Sequence, residues 1–117
     1  MHIRVKRVYE RPAKADGVRI LADRLWPRGV TKEKAAIKDW AKELSPSDGL
    51  RRWFHESPET RFAGFERKYA SELKKNREAI RERMSAYTGT VTLVTSVKDI
   101  ERSHIPTLVA FLASRSR

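Results

Sequence analysis

A chain of 117 residues with 39% hydrophobic residues has material for one core of modest size and is too apolar for disorder. It contains no cysteine, which excludes disulfides, thiol catalysis and thiolate metal sites together, and no apolar run near the ~20 residues of a membrane span. Its formal net charge of +11 predicts attraction to polyanions or to a small anionic molecule, and with no leader-like apolar stretch at the start the expected location is the cytoplasm.

In chain order, Ile3 and Val5 alternate with Arg4 and Lys6, the pattern of a half-buried strand. Tyr9 to Asp16, with Pro12 and the Asp16-Gly17 pair, reads as a loop. A strand over Val18–Leu25 follows, in which Val18, Ile20 and Ala22 alternate with Leu21 and Leu25, so both faces are apolar. That is the mark of a strand covered on both sides in an α/β sheet. It ends in Asp23, Arg24, Trp26, Pro27, Arg28 and Gly29; Pro27 forces Trp26 to be extended and Gly29 permits a turn. Thr31 is a good helix N-cap, and Ile37, Trp40, Ala41 and Leu44 fit the helix after it, although Trp40 to Leu44 fits a short edge strand equally well. Ser47 or Asp48 starts a short helix carrying Leu50, Trp53 and Phe54.

Ser57-Pro58-Glu59 opens a longer helix, with Pro at its first position and an acid against the dipole. Phe62, Phe65, Tyr69, Leu73, Ile80, Met84 and Tyr87 form one apolar stripe for core packing. A straight helix from Pro58 to Tyr87 would be roughly 45 Å long. A compact domain of this size has a radius of gyration near 13 Å, so a break is predicted at Lys75-Asn76-Arg77. Interleaved Glu66, Glu72, Glu78 and Glu82 make its outer side a solvated surface; the uncompensated positives are Arg4, Lys6, Arg7, Arg11 and Lys14, then Arg115 and Arg117. Val91–Ser96 reads as a second buried strand, and Ser103 caps a last helix with Ile105, Leu108, Val109 and Leu112 on its buried side. Ser114 to Arg117 read as a loose end. The expected architecture is a single α/β domain over residues 1–117, with a small sheet, a parallel central pair of strands and helices around it.

The run Asp16-Gly-x-Arg-x-Leu-x-Asp-Arg-Leu-Trp-Pro-Arg-Gly29 resembles the signature of the YeaO-like family of small bacterial proteins of unknown function. The similarity runs nearly end to end. It takes in Lys6-Arg7-Val8-Tyr9, Pro46-Ser47, Leu50-Arg51, Phe54, Phe65, Tyr69, Glu72, Leu73, Leu93, Lys98 and His104. Some members carry a transcription-regulator label; nothing in this chain reads as a winged helix-turn-helix, so the label is not transferred. Ser103 stands where the family usually has Asn, and Ile105 where it usually has Ala, which shortens any side chain reaching a ligand from position 103.

If the two apolar strands are parallel, Asp23-Arg24 and Lys98-Asp99 share one edge with Ser103 and His104. Ligands of open α/β sheets bind just beyond that edge. A helix N-terminus there suits a phosphate or carboxylate. In this reading Arg24, Arg28 and Lys98 bind the anion, Asp99 and Ser103 line the site and Trp26 supplies an apolar wall. Asp23 orients an arginine, and His104, kept neutral by the helix dipole, is the candidate acid/base with Asp23 beside it. A capping role for His104 and a core ion-pairing role for Asp23 and Arg24 compete with this reading. His2, His55 and His104 are dispersed, so no metal site is expected; no nucleotide fingerprint is present, so no cofactor is expected; and Ser96 sits in no nucleophile elbow. The expected partner is a small anionic ligand, with an enzyme site open at the same place. The alternatives are a nucleic-acid accessory protein acting through its charge, and a partner-binding module working through Trp40, Trp53 and Phe54.

Overall fold

The sheet grows from two short apolar strands that lie side by side and point the same way. In the computed structural model, which describes residues 1–115, β2 (Val18–Leu21) pairs with β4 (Thr90–Thr95) in parallel, with Leu21 opposite Val94. The strand β1 (His2–Arg7) flanks β4 and the two-residue β3 (Asp39–Trp40) flanks β2, both again parallel, giving the order β1-β4-β2-β3. All four carboxyl ends therefore lie along one edge. Parallel pairing extends beyond the expected central pair to every strand among the described residues.

The two faces of the sheet are covered unequally. On the thick side Ile20, Val91 and Leu93 are fully buried beneath α2 (Asp48–Glu56), α3 (Pro58–Lys75), α4 (Arg77–Met84) and α5 (Ile105–Arg115). Leu50, Phe65, Tyr69, Leu73, Ile80, Met84, Leu108 and Leu112 supply the helical half of that core. The predicted break falls at Asn76, between α3 and α4, and lets the apolar stripe follow the body of the protein. Ser47 caps α2 through its Oγ, which accepts from Leu50 N, and Ser47 in turn donates to Glu72 of α3 from both its Oγ and its N–H.

The thin side has a small apolar cluster of Val8, Leu21, Ala35, Ile37 and Val94, with Trp26, Val30 and Trp40 packed against it. Its covering is the 8–17 loop together with the chain between β2 and β3, including α1 (Lys32–Ala35). The loop is fastened by Asp16, which is fully buried. Its carboxylate lies 2.8 Å from Arg19 Nη1 and 2.9 Å from Lys6 Nζ, and accepts from Ala13 N. Thr92 Oγ1 donates to the Asp16 carbonyl, and Arg4 donates to that of Ala15. Gly17 then turns the chain into β2 at φ +62°; a Cβ there would stand 2.1 Å from Thr90 O, so no other residue fits.

Four expectations need correction. The strand expected over Val18–Leu25 ends at Leu21, with one further ladder bond from Ala22 N to Val94 O, and Leu25 is 58% exposed instead of buried. Beyond that bond the chain leaves the ladder, and the Asp23 side chain accepts from Thr95 and Ser96 at the end of β4. The helix after Thr31 has a single turn, because Ala36 adopts the left-handed conformation (φ 52°); Asp39–Trp40 is strand, and Lys42–Leu44 a 3-10 turn. Arg4, Lys6 and Arg7 are not free positives: the first two tie down the 8–17 loop, and Arg7 donates to the Ser96 and Val97 carbonyls. Finally, α5 runs on through Ser114 to Arg115, whereas the expectation for Ser116 and Arg117 lies outside the described residues.

Candidate functional site

At the carboxyl edge of the sheet, β2 and β4 end beside each other and the chain leaves them in different directions. A cavity of about 440 Å³ opens there. Its wall is built from the ends of both strands, from α2 and α3, and from the entry to α5.

Asp23 anchors this edge. Its carboxylate accepts from Thr95 Oγ1 (2.7 Å), Ser96 N (2.8 Å) and Ser96 Oγ (2.9 Å), stitching the end of β2 to the end of β4. No arginine is among these partners, so Asp23 does not orient one. Side chains alternate along extended backbone, and Arg24 diverges: its Nε donates to the Pro46 carbonyl at 3.1 Å.

His104 is buried against the same anchor. Its Nε2 lies 2.9 Å from Ala22 O and 3.5 Å from Asp23 Oδ1. A carbonyl only accepts, so the contact with Ala22 places the proton of the neutral ring on Nε2 and leaves Nδ1 as the lone pair. Burial holds the imidazole below its ordinary value of 6.5; Asp23 and the Ala22 carbonyl offset only part of that effect. The ring was expected to be neutral because of the helix dipole, but the main cause is removal from water. Ser103 Oγ accepts from Ile105 N and donates to Ile100 O, a local cap at the start of α5.

Six of the eight residues singled out from the sequence share the cavity: Asp23, Arg24, Lys98, Asp99, Ser103 and His104. Trp26 and Arg28 do not. Trp26 donates to Val30 O and packs edge-on against Trp40, 5.4 Å between ring centroids, as part of the thin-side cluster. Arg28 is exposed on the turn, where its carbonyl accepts from Tyr9 Oη. Pro27 and Gly29 carry this segment round to the thin side, a change of direction that residue type signals but does not aim.

The structure adds Arg51, Arg102, His55, Phe54 and Phe65 to the lining. Arg51 sits beside Asp48 at 3.7 Å, and its Nε has no hydrogen-bond partner. Arg102 lies over Phe62 at 4.7 Å. Phe54 and Phe65 stack at 4.5 Å, and Phe65 continues through Tyr69 to His104 in a row of ring contacts. Tyr69 donates to Leu44 O and is buried completely. Arg51 and Phe54 were marked in the sequence by their place in the family pattern, and Phe54 also as part of the partner-binding alternative; Arg102 had no signal. The cavity thus gathers four cations, Arg24, Arg51, Lys98 and Arg102, against the carboxylates of Asp23 and Asp99.

These features define a parallel α/β protein with a basic, partly aromatic cleft at its strand ends. The model of a family described as the inactive DUF488-N3 subclade matches residues 2–117. The chain is 39% identical over 115 residues to the uncharacterised protein YeaO of Escherichia coli (strain K12), covering 97% of this chain and 99% of that protein. It is 38% identical over 113 residues to an uncharacterised protein of Mycobacterium tuberculosis (strain ATCC 25618 / H37Rv), covering 97% and 95%. The chain belongs to this YeaO-like family. No solved structure matches it at a significant level. Among the described residues no helix is long and apolar enough to cross a membrane.

Proposed function

We propose that this protein is a cytosolic binder of a small phosphate- or carboxylate-bearing ligand, held in the cleft at the strand carboxyl ends. The observation that carries the reading is the excess of four cationic side chains over two carboxylates in one cavity of about 440 Å³, within the range of ligand sites. Asp23 accepts three hydrogen bonds from Thr95 and Ser96, so it serves as the fixed base of the cleft and leaves the arginines to the ligand. Lys98 is exposed and has no ion-pair partner among the described residues. The family's description as inactive weighs the reading toward binding over turnover. A catalytic role would fall to His104 through Nδ1, with Asp23 on the far side of the ring.

The test is a thermal-shift screen of phosphorylated and carboxylated metabolites. A hit should lose about tenfold in affinity, ~1.4 kcal/mol, in Lys98→Ala and in Arg24→Ala. Stabilisation that survives both substitutions would exclude this cleft.

A second reading has its own observation. On the segments covering the thin side, 9–17 and 28–42, Arg11, Lys14, Arg28, Lys32, Lys34, Lys38 and Lys42 are exposed, against the exposed acids Glu10 and Glu33. Such a face suits a nucleic-acid backbone. Binding of this kind should fall steeply with salt, drop in a Lys32/Lys34/Lys38→Ala triple variant and ignore Lys98→Ala.

A further inference from the structure

We infer that the ligand of the cleft is an aromatic anion: a flat ring system carrying a phosphate or carboxylate group. This rests on the proposed anion-binding reading and sharpens it. The size of the cavity is the first argument. A volume of about 440 Å³ is that of a site for a molecule of several functional groups; a lone phosphate would engage the cationic rim and leave the rest to water.

The lining is the second argument. Phe54 is half-buried and stacked at 4.5 Å on the buried Phe65, so the lining that the cations share is partly aromatic. Leu25, one of the three large hydrophobic residues of the described chain that stand exposed, lines the same cavity beside Pro46. A ligand that was all charge would leave this apolar surface wet. An apolar body laid on the phenylalanines covers it, and a ring meets a ring at the edge-to-face or offset geometries that aromatic pairs favour.

The cations are the third argument. Arg51 and Arg102 bring planar guanidinium groups, which grip oxyanions and also lie over aromatic faces, as Arg102 already lies over Phe62. Lys98 and Arg24, at the ends of the two strands, remain for the anionic group. The division of labour is an aromatic lining for the body of the ligand and a basic rim for its charge.

The experiment compares matched probes by calorimetric titration of the full chain. Adenosine monophosphate and phenyl phosphate present a ring with phosphate, and indole-3-acetate a ring with carboxylate. Ribose 5-phosphate and inorganic phosphate carry the charge without the ring, and adenosine carries the ring without the charge. The expected result is that at least one ring-bearing anion binds tenfold or more tighter than ribose 5-phosphate, inorganic phosphate and adenosine. The preferred anionic group shows which aromatic class the cleft takes. Phe54→Leu, checked for folding by its melt, should erase that preference while leaving phosphate binding, and Lys98→Ala should weaken every anion. Equal binding of ribose 5-phosphate and the ring-bearing anions would overturn the aromatic inference and leave the anion pocket standing. Binding of none of the anions would overturn both.

Discussion

Two buried carboxylates stand at opposite ends of β2, and they are handled in opposite ways. Asp16, before the strand, is neutralised by two cations, Lys6 and Arg19, in a closed site beneath a loop. Asp23, after the strand, is satisfied by the uncharged donors of Thr95 and Ser96, with His104 at 3.5 Å, while four cations line the cleft beside it, Arg24 bonded to the Pro46 carbonyl and Arg51 3.7 Å from Asp48. Where charge is cancelled on the spot, the result is a fastening. Where hydrogen bonds satisfy the acid, it does not cancel the arginines and lysine that share its cleft. The comparison separates the end of the sheet that holds the fold from the end proposed to bind.

Breaking the closed end should have the largest effect. Asp16→Ala leaves Arg19, only 2% exposed, without its counter-charge, and should cost about 3–5 kcal/mol in urea unfolding. Breaking the open end should be milder. Asp23→Ala strands the Thr95 and Ser96 donors at about 1–3 kcal/mol, since both hydroxyls can rotate to other acceptors. A loss for Asp23 equal to that for Asp16 would show that the two ends are not distinguished.

Acid should act on the two ends in separate windows. The folded state binds His104's proton less readily than the unfolded chain does, because burial lowers the imidazole's value below 6.5. Stability should therefore decline as pH falls below about 6.5, and His104→Gln should flatten that part of a melting-temperature profile. Asp16 behaves differently. Burial by itself would raise its value, but hydrogen bonds from Lys6, Ala13 N and Arg19 outweigh burial and lower it from 3.8 to about 2. Its contribution is present above pH 3.8 and fades as pH drops toward 2, a loss that Asp16→Asn should remove from the profile.

The smallest effect on stability belongs to the rim of the cleft. Lys98→Ala removes an exposed charge with no ion-pair partner among the described residues, and should change unfolding free energy by no more than about 0.5 kcal/mol. A larger loss would place Lys98 with the fastenings and remove it from the proposed binding set. Paired with its expected tenfold effect on ligand affinity, this variant marks most sharply which end does which work.

Much of the architecture was legible in residue type and spacing alone. The β-branched run of β4, the apolar run of β2, Pro58 at a helix start and the missing apolar residue near Asn76 all report on local geometry, which depends on neighbours in the chain. Strands apolar on both faces implied parallel pairing, and parallel pairing implied a shared carboxyl edge; six candidate residues met there for that reason. The partners of each charge were not legible. Nothing in Asp16, Asp23, Arg19 or Lys6 as letters says which acid takes the cations, because ion pairing is decided by distances between segments far apart in sequence. Trp26 and Arg28 went to the thin side because a turn's composition fixes that the chain bends and leaves its direction to what it packs against, here Trp40 and Tyr9. Arg51 and Arg102 entered the cleft from α2 and the segment before α5, on helical surfaces whose facing only the packing of the thick layer decided.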